Sequence, residues 1–395
     1  IIRAMMTNIS RMGSNRRPVG ASTITQQVAK NFLLTNEVSI ARKAKEAILA
    51  FRIEHAFGKD RILELYLNEI YLGMGSYGVA AAALNYFNTS LNELTLAQAA
   101  FLKKNLDHVV EPTLQLADKA IDNIKAKGSF DFVADFSSEI TVGIIFQLLG
   151  LPPRNSAEMR NKVVLSISTD KKARGRNAEL DAAFANLSQM ISDEVAVRRQ
   201  TPRDDLITKL AEAEIDGDRL TEREVVLTTS MFVVAGVESL SSFMSILALN
   251  LHDFTEARQS LQIDPARMMP AIDESLRYNT SAQRFKRVLT RDLDLHGKTM
   301  REGDGVVLAY GAANRDERKF ENPDVYDIAR NPQGHLGFGM GKHFCIGNHF
   351  SRLVTEAAMN RFLERIPSFG MQTREFDWVS SSNFRSPMTL PFKIN

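Results

Sequence analysis

The chain reads as mainly α-helical with a few short strands, and three observations carry that reading. Apolar residues recur at helical spacing, as at Val28, Phe32 and Leu33. The run TEREVVLTTSMFVVAGVESLSSFMSILALN opens on a Thr221–Glu224 capping box and stays apolar almost all round, which predicts a long buried helix. By contrast, SAQRFKRVLTRDLDLHGKTMREGDGVVLAYGAANRDERKF alternates apolar and polar residues around turns at His296-Gly297 and Gly303, so short strands are expected there.

At 395 residues and 44% hydrophobic content, the chain is long enough for one large domain or two ordinary ones. Its 49 basic and 47 acidic residues leave a net charge of +2, which gives no electrostatic case for nucleic acid or an anionic membrane as partner. A single cysteine, Cys345, excludes an intramolecular disulfide framework and leaves one thiol free for chemistry. No apolar run is expected to span a bilayer, and the first twenty residues lack the uninterrupted apolar stretch of a secretory signal. The chain opens on Ile1, so targeting information further upstream would be invisible.

Residues 1–20 are polar and basic, and GASTITQQVAKNFLL continues as loop, then helix. In ARKAKEAILAFRIEHAF the apolar Ile48, Leu49, Phe51 and Ile53 are expected to form a buried face. KDRILELYLNEIYLG reads as a helix ending near Gly73, followed by a glycine turn and a small-residue helix from Val79. Taken in order, GASTITQQ at Gly20 to Gln27, RKAKE at Arg42 to Glu46 and KDRILELYLNEIYLG at Lys59 to Gly73 resemble the glycosyltransferase domain of penicillin-binding proteins. The resemblance implies an all-α, lysozyme-like fold acting on a lipid-linked disaccharide. Gln26 and Gln27 would belong to its site, Arg42 and Lys43 would face pyrophosphate, and Glu46 would be a site carboxylate. The main catalytic glutamate of that family lies in a motif upstream of GASTITQQ, and the similarity stops near Phe101. Residues 1–103 are therefore expected to be a truncated, inactive fragment.

From about Asn105 the chain reads as a helix, a turn at Gly128 and a buried helix ending at Gly150 before two prolines. Inside the long apolar helix, Gly236 costs roughly 1 kcal/mol against alanine, and Glu238 and Ser239 stand beside it. A kink and a satisfied core glutamate would account for these residues taken alone. Asp264 caps a helix with Pro265 at its first position, and Glu274 and Arg277 share one face of it. Phe338 to Gly347 reads FGMGKHFCIG, with three glycines around the lone thiol, a backbone built to bend tightly. The helix that follows, GNHFSRLVTEAAMNRFLERI, has its N-terminus against Cys345, where the dipole would favour a thiolate.

The spacing F-x-x-G-x-x-x-C-x-G at Phe338, Gly341, Cys345 and Gly347 resembles the haem-binding loop of the cytochrome P-450 family. The resemblance implies haem b held through iron by Cys345, with Arg287 and His343 meeting its propionates. Ala235, Gly236, Glu238 and Ser239 would form the oxygen-binding segment, with serine in place of the family's usual threonine. Glu274, Arg277 and Arg330 would form a structural clamp behind the loop. Residues 104–395 would then be a haem-thiolate monooxygenase domain acting on a small organic substrate. Electrons would come from a ferredoxin- or flavodoxin-like partner, and the setting would be cytoplasmic, whereas the first fragment resembles an extracytoplasmic, membrane-associated domain. The family's first quarter has no counterpart here, so the strands near Gly305 to Tyr310 should lack partners and turnover should be impaired. A glycosyltransferase with an appended module, or an inactive hybrid, is the competing expectation.

Overall fold

The computed structural model describes residues 25–26, 29, 40–69, 79, 109–170, 175–215, 217–330 and 332–395. The chain divides into two compact units, Ile1–Leu94 and Thr95–Asn395.

In the first unit, helix α1 (Ile40–Ala56) is followed by α2 (Lys59–Glu69). The hydroxyl of Thr25 donates to Glu54 at 2.7 Å. Ala50 and Ile62 are buried, whereas Ile48 and Phe51 are 57% and 64% exposed, so the expected inward face of α1 is not the one used. Phe51 packs its ring on His55 one turn later instead. Gln27, the end of the helix near Gly73 and the side chains of Arg42, Lys43 and Glu46 lie outside the described residues.

In the second unit, α3 (Val110–Lys127) ends at Gly128 with φ of 74° and leads into β1 (Ser129–Asp131). A π-helical turn, Phe132–Ser137, then runs into α4 (Ser138–Leu149), which stops at Gly150 in the left-handed region. Next come α5 (Ser156–Ile167), α6 (Ala178–Gln200), α7 (Leu206–Glu212) and a two-stranded ribbon of β2 (Glu214–Ile215) with β3 (Asp218–Arg219). The predicted long helix is α8 (Glu222–Asp253). Its capping box has Glu224 N–H donating to Thr221 Oγ1 and Thr221 N–H donating to Glu224 Oε2. At 32 residues it is about 48 Å long, and α4, α5, α6 and α12 (Asn348–Arg365) pack on it. Its second half is buried; its first half leaves Leu227 and Met231 exposed.

Two segments, Phe132–Leu149 and Glu222–Asp253, are by length and composition apolar enough to cross a membrane, against the expectation that no such run exists. Most residues of both are buried, the position of core helices.

After α9 (Thr255–Ile263), Asp264 caps a 3-10 turn opening on Pro265, and α10 (Met268–Tyr278) follows. The strand region contains β4 (Phe285–Val288), β5 (Leu293–Leu295), β6 (Lys298–Met300) and β7 (Gly305–Leu308). The β5–β6 hairpin turns at His296 and Gly297, both with positive φ. β4 pairs antiparallel with β7, Arg287 opposite Val306, and among the described residues neither strand has a second neighbour. Val288 and Val307 stand 60% and 57% exposed, as expected for strands short of partners. Tyr310–Ala313 is a short helix, α11, where strand was expected. β8 (Phe369–Met371) and β1 flank β9 (Pro391–Ile394) in a three-stranded sheet. Phe130, Phe132, Phe136, Phe362, Phe369 and Phe392 pack around that sheet as one aromatic cluster.

Candidate active site

The cysteine loop is a chain of tight turns. Gly339 and Gly341 hold φ of 73° and 65°, which few other residues would adopt, while Gly347 at −87° needs no glycine conformation. Gly339 N–H donates to Leu336 O, Phe344 N–H to Gly341 O, and Cys345 N–H to Phe338 O, each at 2.9 Å. The thiol is thereby fixed just ahead of α12.

Cys345 lies on the wall of a cavity of about 410 Å³. Phe232, Ala235, Gly236, Ser239 and Phe243, on one face of α8, line the same cavity. Ile145 and Leu149 of α4, Phe285 of β4 and Phe384 of the C-terminal segment complete an apolar lining, and Arg287 and His343 border the same space. An ideal Cβ on Gly236 would fall 2.4 Å from Ile145 Cδ1, so the glycine is explained by the close crossing of α4 over α8. The Ser239 hydroxyl donates to Ala235 O.

Glu238 is not on this wall. One residue, about 100° of helix, separates it from Ser239, and it turns among Ser241, Ser242 and Ser245 on the packed face of α8. Its carboxylate is 3.1 Å from Arg160 Nε, an ion pair 1% and 4% exposed. Arg160 also donates to the carbonyls of Pro387 at 3.0 Å and Met388 at 3.3 Å. Burial raises the Glu238 pKa, against the opposing pull of Arg160 and of the hydrogen bond to Ser386.

Burial also governs Cys345. The residue as a whole is half-buried, and the packing around its sulfur pushes the thiol up to about 11 even though the backbone N–H groups of Gly347 and Asn348 and the charge of Arg352 act the other way. The N–H groups at the start of the helix do favour the thiolate, as expected from sequence, but in the haem-free fold burial outweighs them.

Behind the loop, Arg277 forks onto Glu274 with two bonds of 2.8 Å, and both side chains are fully buried. Arg330 Nε reaches Glu274 Oε1 at 3.3 Å, and Asp327 N–H donates to the same oxygen at 2.9 Å. The three predicted clamp residues do meet. Asn314, which the sequence reading passed over, ties the clamp to the loop: its Oδ1 accepts from Leu336 N–H at 2.6 Å and its Nδ2 donates to Leu276 O at 3.2 Å. Arg160 was also missed. No local pattern marks either, since their partners lie 22 to 228 positions away.

A family model described as Cytochrome P450 matches residues 125–375. The chain belongs to the cytochrome P450 family. A second family model, described as Transglycosylase, matches residues 1–120. The P450 relatives include a biotin biosynthesis cytochrome P450 of Bacillus subtilis (strain 168), 30% identical over 75% of this chain and 75% of its own length. A steroid C26-monooxygenase of Mycobacterium tuberculosis (strain CDC 1551 / Oshkosh) is 32% identical over 69% of this chain and 74% of its own. Among solved structures, P450BioI in complex with hexadec-9Z-enoic acid ligated acyl carrier protein superposes with TM-score 0.69 at 28% identity, covering 76% of this chain and 77% of that one. The Bacillus subtilis 168 bacillaene polyketide synthase cytochrome P450 PksS gives TM-score 0.71 at 26% identity, covering 77% and 78%. The P450 family carries haem. An apolar cavity with a thiol on one wall and a guanidinium and an imidazole at its border fits a flat, hydrophobic, doubly carboxylated ligand of that kind.

Proposed function

We propose that residues 104–395 form a haem-thiolate monooxygenase domain that oxidises a small, largely apolar organic substrate. The observation that carries this reading is that Cys345 lines one cavity together with Ala235, Gly236 and Ser239 of α8. Cys345 would be the iron ligand, with Phe338, Gly341 and Gly347 shaping its loop and Arg287 and His343 meeting the haem carboxylates. When bound, haem supplies activation of dioxygen and transfer of one oxygen atom to substrate, fed by a ferredoxin- or flavodoxin-like electron donor. Ser239 is the hydroxyl positioned to hold a proton at the cavity wall. Glu238 would relay protons only by leaving Arg160, so in this arrangement it acts as a reserve behind the serine. Glu274, Arg277 and Arg330 would keep the loop rigid without meeting substrate. Leu148, Leu149, Phe232 and Phe384 favour an apolar substrate, in keeping with the fatty acyl and steroid names among the relatives.

The domain boundary near 103/104 is supported by α3, which Arg365 of α12 grips through Asp118 at 2.9 Å and Asp122 at 2.6 Å, although the transglycosylase match runs to residue 120. Turnover is proposed to be impaired because β4 and β7 present uncovered apolar side chains beside Arg287. A cytoplasmic setting belongs to this reading.

The deciding experiment is the carbon monoxide spectrum of the reduced, haem-supplied chain. A red-shifted Soret band, absent in Cys345→Ala, is the expected result. No haem uptake, or the same band in Cys345→Ala, overturns the reading. The transglycosylase match favours a second reading, glycosyl transfer from lipid-linked disaccharide by the first unit through Gln26, Gln27, Arg42, Lys43 and Glu46. Glycan polymer made from that substrate, and lost in Glu46→Gln, would establish it.

A further inference from the structure

Tyr310 is 6% exposed and lines the cavity, yet its hydroxyl has no hydrogen-bond partner among the described residues. The nearby buried Tyr326 shows the ordinary arrangement, its hydroxyl 2.8 Å from Ser275 Oγ. The Tyr310 hydroxyl is not sealed in the core but opens on the cavity, where a bound group can accept from it. What surrounds Tyr310 indicates which partner it lacks. Its ring packs on Phe285 at 5.8 Å, and Phe285 is two residues from Arg287 on the same face of β4. Its hydroxyl is 3.7 Å from where a Cβ on Gly339 would stand, and the carbonyl oxygen of His343 is 3.4 Å from that same point. The phenol thus stands against the cysteine loop, on the same cavity that Arg287 and His343 line.

Building on the haem reading above, we propose that Tyr310 is a third anchor for the haem carboxylates, its hydroxyl donating to a propionate oxygen beside those held by Arg287 and His343. Two propionates bring four anionic oxygens into an otherwise apolar space, and each needs donors. A neutral phenol supplies one without adding a further buried charge.

Tyr310→Phe keeps the ring against Phe285 and removes only the donor. The haem-free full chain and this variant would be titrated with haemin, and the loaded proteins followed as they release haem to excess apomyoglobin. The same titrations with haemin dimethyl ester, whose carboxylates are blocked, complete the set. The variant is expected to bind haemin about tenfold more weakly, while both proteins bind the ester alike. Equal affinity for haemin overturns the assignment, and so does an equal loss for haemin and its ester, which would make Tyr310 a packing residue. Failure of the wild-type chain to take up either compound would overturn the haem reading itself, and this assignment with it.

Discussion

At Cys345 two influences oppose each other, and the outcome can be tested. Burial outweighs the adjacent N–H groups, so the haem-free fold holds the thiol proton up to about pH 11, above the ordinary value of 9.0. The folded state then binds that proton more tightly than the unfolded chain does. The corresponding stability is full below the unfolded value and is lost as pH climbs through that window. Denaturant titrations of the haem-free protein should therefore show wild type losing stability relative to Cys345→Ala between about pH 9 and pH 11; parallel curves would refute this balance. A second prediction concerns Arg277, whose guanidinium answers Glu274 and three backbone carbonyls while fully buried. Arg277→Ala leaves the buried Glu274 with Arg330 and the Asp327 N–H and should cost about 3–5 kcal/mol by chemical denaturation. Arg277→Lys keeps the charge but not the fork and should recover only part of that.

The helices were legible because their signals are local. The Thr221–Glu224 box, Asp264 before Pro265 and the glycine stops at Gly128 and Gly150 each lie within four residues of the element they delimit. The cysteine loop was legible for the same reason. What stayed hidden was direction. Glu238 and Ser239 are adjacent in sequence but face different surroundings on α8, and only the packing of α5 and the C-terminal segment shows which of them meets the cavity. Likewise, Ile48 and Phe51 fit a buried stripe by spacing, yet Ala50 takes the interior. Two tests belong to α8. Thr221→Ala should lower stability by about 1 kcal/mol without changing haem affinity, since the cap is exposed and far along the helix from the cavity stripe. Gly236→Ala should cost about 1–3 kcal/mol because its Cβ meets Ile145 Cδ1, and Ile145→Val, which deletes that atom, should restore most of it. No rescue would mean that the glycine is needed for something other than the α4 crossing.

Over the whole molecule, the P450 match and most of the described core belong to the second unit, and its weak side is the β4–β7 pair. Two strands with uncovered valines and free backbone edges are prone to pair with other chains. Val288→Thr with Val307→Thr should reduce self-association, read by light scattering against concentration, and leave the haem spectrum unchanged. Unaltered scattering would show that these strands are covered in solution.

The sheet of β1, β9 and β8 bears on how the protein is made. Its central strand, Pro391–Ile394, pairs Lys393 with Ser129, and Arg160 reaches forward to the carbonyls of Pro387 and Met388. During synthesis β1 leaves the ribosome more than two hundred residues before its partner, so the aromatic cluster cannot close until Pro391–Ile394 has emerged. Over that interval Phe130 and Phe132 lack the partner that Phe392 supplies in the folded unit, and apolar side chains left uncovered on a nascent chain favour contact with other chains.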